Sequence, residues 1–162
     1  MTQTKMDSLR RKLNNSDINV KTEACSELAW EFHDLSIDSA IFYAERAEKW
    51  ITRDVTELNK GYIYHILGSV YSVAKQYSEA IPWLEKAYNI RKKEKDEVQL
   101  VATISNLVFC AQGTGDIKRT LNLILESEQI CERINKRDPH LYVITLVQLA
   151  DVFRDLKRFD KA

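Results

Sequence analysis

Apolar residues return every three or four positions along this chain, in blocks of helical length separated by short polar turns. The blocks also resemble one another. Leu67-Gly68-Ser69-Val70-Tyr71 is followed by Tyr77-Ser78-Glu79-Ala80-Ile81-Pro82-Trp83-Leu84-Glu85-Lys86-Ala87. The same order recurs in Leu28-Ala29-Trp30-Glu31-Phe32 followed by Ser39-Ala40, and in Leu149-Ala150-Asp151-Val152-Phe153 followed by Arg158 to Ala162. A weaker copy runs from Leu107 to Ala111 and from Gly115 to Leu121. The leucines at 28, 67, 107 and 149 are 39, 40 and 42 residues apart. The small residues opening the second helix, at 40, 80, 120 and 162, are 40, 40 and 42 apart. Two landmarks keeping one period predict a repeat of antiparallel helix pairs.

The pattern Tyr64, Leu67, Gly68, Tyr71, Ala80, Leu84, Ala87 resembles the tetratricopeptide-repeat signature, over roughly residues 18–162. The resemblance implies an all-α fold, a right-handed superhelical stack in which Gly68, Ala29 and Ala150 let the first helix of a pair approach the second. Ala40, Ala80 and Ala162 do the same from the other side. The first copy has a turn one residue shorter, and the third carries Val108 and Thr120 where the signature has small residues. One repeat cannot cover its own apolar face, so the stack is the folding unit.

The period exceeds the common one of about 34 residues, and the surplus is expected to lengthen the helices. The expected map is a single domain over 1–162. It has a short helix at 5–14, pairs at 18–35 and 38–53, 55–74 and 78–95, 97–112 and 116–136, and an incomplete fourth repeat at 139–162. Asp54, Asp96 and Asp138 recur every 42 residues behind basic stretches, which predicts three N-caps. Glu57 and Gln99 stand at capping-box spacing from the first two, and Pro139 follows the third.

Composition narrows the function. The 24 basic and 24 acidic residues cancel, so no global field gathers phosphates and nucleic acid is not expected as a partner. No apolar run is long enough for direct membrane insertion. Cys25, Cys110 and Cys131 lie in apolar helical patterns and read as buried thiols. His33, His65 and His140 fall at no metal-ligand spacing. The Gly113-Thr114-Gly115 turn lacks the Lys-Ser/Thr of a phosphate loop, and no nucleophile motif occurs. An enzyme is therefore not expected, nor any metal or cofactor.

The resemblance implies instead a concave groove lined by the first helices of the pairs, reading a protein or peptide ligand. Carried over position by position, its residues are Trp30, His33, Tyr62, His65, Asn106, Phe109 and Gln148. Aromatic anchors with amides and hydroxyls suit an extended peptide or a partner helix. The bland alternative is that Trp30 and Phe109 only pack between neighbouring helices. A chaperone-tail clamp fits poorly, because Ser26, Trp30, Ile66 and Ala102 stand where its key groups would be.

The sequence ends at Ala162, where a fourth second helix should begin. This predicts either a fragment of a longer protein or a homodimer through the incomplete C-terminal repeat. The long period and the Asp7-Ser8-Leu9-Arg10-Arg11-Lys12-Leu13 opening also resemble the input region of bacterial signalling proteins. That resemblance implies an input or dimerisation module, cytoplasmic by default and periplasmic if it belongs to a membrane-bound sensor. A structural spacer with an idle groove is the alternative.

Overall fold

The computed structural model describes residues 3–134 and, beyond them, Val143, Val147, Ala150 and Arg154. The described residues form seven helices and no strand: α1 (Gln3–Lys12), α2 (Ile18–Phe32), α3 (Ile37–Lys49), α4 (Glu57–Val73), α5 (Tyr77–Glu94), α6 (Glu97–Gly113) and α7 (Ile117–Ile134). Each even-numbered helix from α2 packs on the helix that follows it, and α2, α4 and α6 pack successively on one another.

The second helix of each pair buries a stripe at i, i+4, i+7. On α3 this is Ala40, Ala44 and Ala47, on α5 Ala80, Leu84 and Ala87, and on α7 Thr120, Ile124 and Ser127. Such a stripe lies along one helix face. Ala29 shares its core with the α3 stripe, Gly68 stands against Ala80 and Leu84, Val108 packs with Ile124, and Leu107 packs back on Ala80 and Leu84. The approach is close at Gly68, where a Cβ would stand 2.4 Å from Leu84 Cγ and 3.1 Å from the Ala80 carbonyl oxygen. Thr120 is tolerated in its fully buried position because its hydroxyl donates to the Asp116 carbonyl at 2.8 Å. At the other end, Met6 and Leu9 of α1 cover Ala24 and Leu28 of α2, closing the N-terminal face of the stack.

Two expectations about helix ends need correction. Asp96 caps α6, its carboxylate accepting from the Gln99 N–H at 3.3 Å. Asp54 does not cap α4. That role falls to Thr56, whose hydroxyl accepts from Asn59 N–H at 3.2 Å, while Glu57 pairs with Lys60. The reason is Asn19 of α2. It holds the incoming linker by donating to the Asp54 carbonyl at 3.2 Å and accepting from Thr56 N–H at 3.1 Å, so the helix begins later. The long period is also distributed unevenly. α4 to α7 have 17 or 18 residues each, but α2 and α3 have 15 and 13, and the first repeat's surplus lies in the linker at 50–56. Asp138 and the fourth repeat lie outside the described residues.

Asp96→Ala is expected to lower stability by about 1 kcal/mol, since one α6 N–H loses its acceptor. The matched Asp54→Ala, measured by the same urea titration, should cost clearly less.

Candidate functional site

α2, α4 and α6 present equivalent positions on one face. Trp30, Ser69 and Phe109 each follow the core leucine of their helix by two residues. Trp30 is 43% exposed and Phe109 48%, against 3% for Ser69. Large apolar side chains left this open have not been absorbed by the core. Trp30 stacks on His33, ring centroids 4.2 Å apart, and together they line a 210 Å³ depression at the end of α2. His33 Nε2 lies 3.2 Å from an Asp34 carboxylate oxygen. Phe109 meets Tyr77 edge-on at 5.7 Å and sits one turn before Gly113. A Cβ on Gly113 would lie within 2.2 Å of the Tyr77 ring, so this glycine serves a close aromatic contact rather than a phosphate loop.

Between the two aromatics the seam is polar. Asn106 donates its amide to Ser69 Oγ at 2.7 Å, and Ser69 in turn donates to the His65 carbonyl at 2.7 Å. Asn106 therefore ties α6 to α4, and its donor is engaged internally. Cys110 Sγ contacts Ser72 Oγ at 3.3 Å along the same seam. Burial pushes the Cys25 thiol up to about 11 and raises that of Cys110, which suits inert thiols.

Tyr62 and His65 stand one turn apart at the other end of α4, both half-buried. Burial, with the fields of Glu27 and Glu23, pushes the Tyr62 hydroxyl up to about 12. Burial and then the nearby Arg91 hold His65 down at about 3, so its ring is neutral at physiological pH. Gln148 lies outside the described residues.

Arg91 precedes the basic stretch at the end of α5, and the repeat signature does not single it out. Its residue is 4% exposed. The guanidinium reaches from α5 into the space between α4 and α6, where Nη1 donates to the Gln99 carbonyl at 2.8 Å and to Thr103 Oγ1. The available signal was register: Ala80, Leu84, Ala87 and Arg91 continue one i, i+4, i+7, i+11 stripe, where the α7 stripe has Cys131.

The described residues contain no cluster of three metal-ligating side chains and no helix long and apolar enough to cross a membrane.

The sequence model of the tetratricopeptide-repeat family matches residues 61–94. No curated protein sequence matches the chain. Among solved structures, the crystal structure of a tetratricopeptide-repeat-like protein from Chlorobium tepidum TLS superposes with a TM-score of 0.63. The match covers 86% of this chain and 99% of that one at 12% identity, so it bears on the fold alone.

Proposed function

We infer that this chain, a tetratricopeptide-repeat fold whose repeat sequence is matched at 61–94, binds a protein or peptide on the face formed by α2, α4 and α6. Repeats of this kind are interaction scaffolds, and the fold is typical of non-catalytic ones. The observation that carries the choice of face is the pair of half-exposed aromatics, Trp30 and Phe109, at the same repeat position on either side of the polar Ser69–Asn106 seam. Two apolar anchors separated by hydrogen-bonding groups suit an extended segment or an amphipathic helix. His33 supports Trp30, and Tyr62 and His65 extend the face toward the start of α4.

The test is capture of partners by the immobilised domain, followed by titration of the captured partner against variants. Trp30→Ala and Phe109→Ala are each expected to weaken binding by about tenfold or more, as anchor truncations do. Both side chains lie half-exposed outside the buried core, so the fold should persist. Undiminished binding by both folded variants would rule this face out. Asn106→Ala is a poorer probe than its position suggests, because it also breaks the tie to Ser69.

A finer reading is an input or dimerisation role within a larger bacterial signalling protein. Its support is the long period and the opening helix α1 seated on α2. The spacer alternative predicts self-association without partner capture, and sedimentation of the isolated chain beside the capture experiment separates the two.

A further inference from the structure

The chain has three tryptophans, and two of them already hold a cation of their own chain. Arg46 lies 4.7 Å from the Trp50 ring centroid, and Lys86 lies 3.8 Å from that of Trp83. Trp30 has no such cation among the described residues, although it is 43% exposed. His33 stacks on its indole and spends its ring nitrogens on the Trp30 carbonyl and on Asp34. The 210 Å³ depression beside the indole is lined by Trp30, Glu31, His33, Asp34 and Leu35, so two carboxylates flank an aromatic wall. Asp34 turns one oxygen to His33 Nε2 at 3.2 Å and keeps 80% of its side chain exposed. Glu31 is engaged by Lys5 of α1.

The negative sign continues along α2. Glu23, Glu27 and Glu31 stand on successive turns of one helix face and lead to the depression. No ion pair among the described residues includes Glu23 or Glu27. The helix has one basic residue, Lys21, and its ammonium lies 5.9 Å from the Trp50 ring centroid. The other first helices do not offset this charge. Lys60 is paired with Glu57 on α4, and Glu97 of α6 with Arg133. α3, α5 and α7 carry as many basic residues as acidic ones. A chain of zero net charge thus turns a negative edge to the binding face, beside its exposed indole.

We propose that the depression beside Trp30 is the seat for an arginine side chain of the bound partner, its guanidinium lying on the indole and donating to the Asp34 carboxylate. The proposal rests on the binding face described above and names what one point of it accepts. A guanidinium fits both walls. It is planar and weakly hydrated, it stacks on aromatic faces, and its fork matches a carboxylate. A lysine would bring the charge without the fork. A partner segment rich in acid would meet like charge at Asp34, Glu27 and Glu23 and is selected against. Further basic residues on the same segment would face Glu27 and Glu23, which steers the segment along α2.

The test uses the whole chain labelled with nitrogen-15 and follows the three indole N–H resonances, that of Trp30 being identified by its loss in Trp30→Phe. The probes are the methylamides of Nα-acetylarginine, of Nα-acetylcitrulline, which keeps the shape without the charge, and of Nα-acetyllysine. The expected result is a saturable shift at Trp30 with the arginine probe, with the citrulline probe weaker by about fivefold or more. The Trp50 and Trp83 resonances should stay in place, because each ring already carries its cation. Asp34→Asn should weaken the arginine probe by about threefold, and added salt should weaken it further. Asp34 is exposed, so the variant should fold, which unmoved Trp50 and Trp83 resonances would verify. No saturable shift at Trp30, equal shifts at all three indoles, citrulline or lysine binding as tightly as arginine, or a folded Asp34→Asn without effect overturns the seat. The seat and the wider face can fail separately. Partner capture that is lost in Phe109→Ala but unchanged in Asp34→Asn keeps the face and removes the seat. An arginine shift at Trp30 beside undiminished capture by Trp30→Ala and Phe109→Ala keeps the seat and removes the face.

Discussion

Gly68→Val is expected to lower the unfolding free energy by about 3 kcal/mol, seen as a lower urea midpoint at an unchanged slope. The contact that decides this is between α4 and α5. The first carbon of any side chain at 68 would meet Leu84 Cγ at 2.4 Å and the Ala80 carbonyl oxygen at 3.1 Å. Leu84 is fully buried and Ala80 contributes backbone, so neither can yield without separating the helices. Gly68→Ala is a sharper version of the test, because alanine is the better helix former by about 1 kcal/mol. A net loss in that variant means the steric term exceeds the propensity gain. Leu84→Ala alone should cost about 2–5 kcal/mol as a buried truncation. The double variant Gly68→Ala/Leu84→Ala should cost less than the sum, because the truncated side chain leaves room for the new methyl. Strict additivity would mean that the two positions do not press on each other.

The second large effect is expected in acid. His65 has an ordinary value near 6.5 in the unfolded chain and about 3 in the fold, lowered first by burial and then by Arg91. A depressed histidine is a group that the unfolded state protonates first. Its contribution to stability is complete above pH 6.5 and is lost as pH falls toward 3. Over that window the slope approaches roughly 1.4 kcal/mol per pH unit, the value for one proton. His65 as a residue is only half-buried, which reduces the total below that limit. Carboxylates titrate in the lower part of the same window, so the measurement is a comparison. Stability against pH should be flatter for His65→Gln than for the unchanged chain, with the difference opening below pH 6.5. Parallel curves would mean that His65 is not held neutral by its surroundings.

The same neighbourhood shows what a one-dimensional pattern conveys. The pairing of small and large residues at 68, 80 and 84 is written in spacing, because close helix approach is a local steric demand repeated along the chain. Asp96 was legible as a cap for a similar reason: a cap and its N–H lie three residues apart. Asp54 had the same spacing to Glu57 and does not act, because a distant residue, Asn19, anchors the linker and shifts the helix start to Thr56. At the candidate site, the aromatics Trp30 and Phe109 could be identified by repeat position, although their exposure could not. Asn106 could be identified too, but not its commitment to Ser69, which lies 37 residues away.

The sequence by itself therefore determined the helix-pair repeat, its period, and the close-packed stripe of small residues. These follow from interactions between neighbours three or four positions apart, and from one length repeating. Only the tertiary structure decided which polar groups are spent and which remain available. Arg91 reads as one more cation at a helix end until α4 and α6 close around it, leaving a buried charge whose hydrogen-bond partners are the neutral Gln99 carbonyl and Thr103 hydroxyl. That outcome depends on the dielectric and the hydrogen-bond partners that folding assembles from three separate helices.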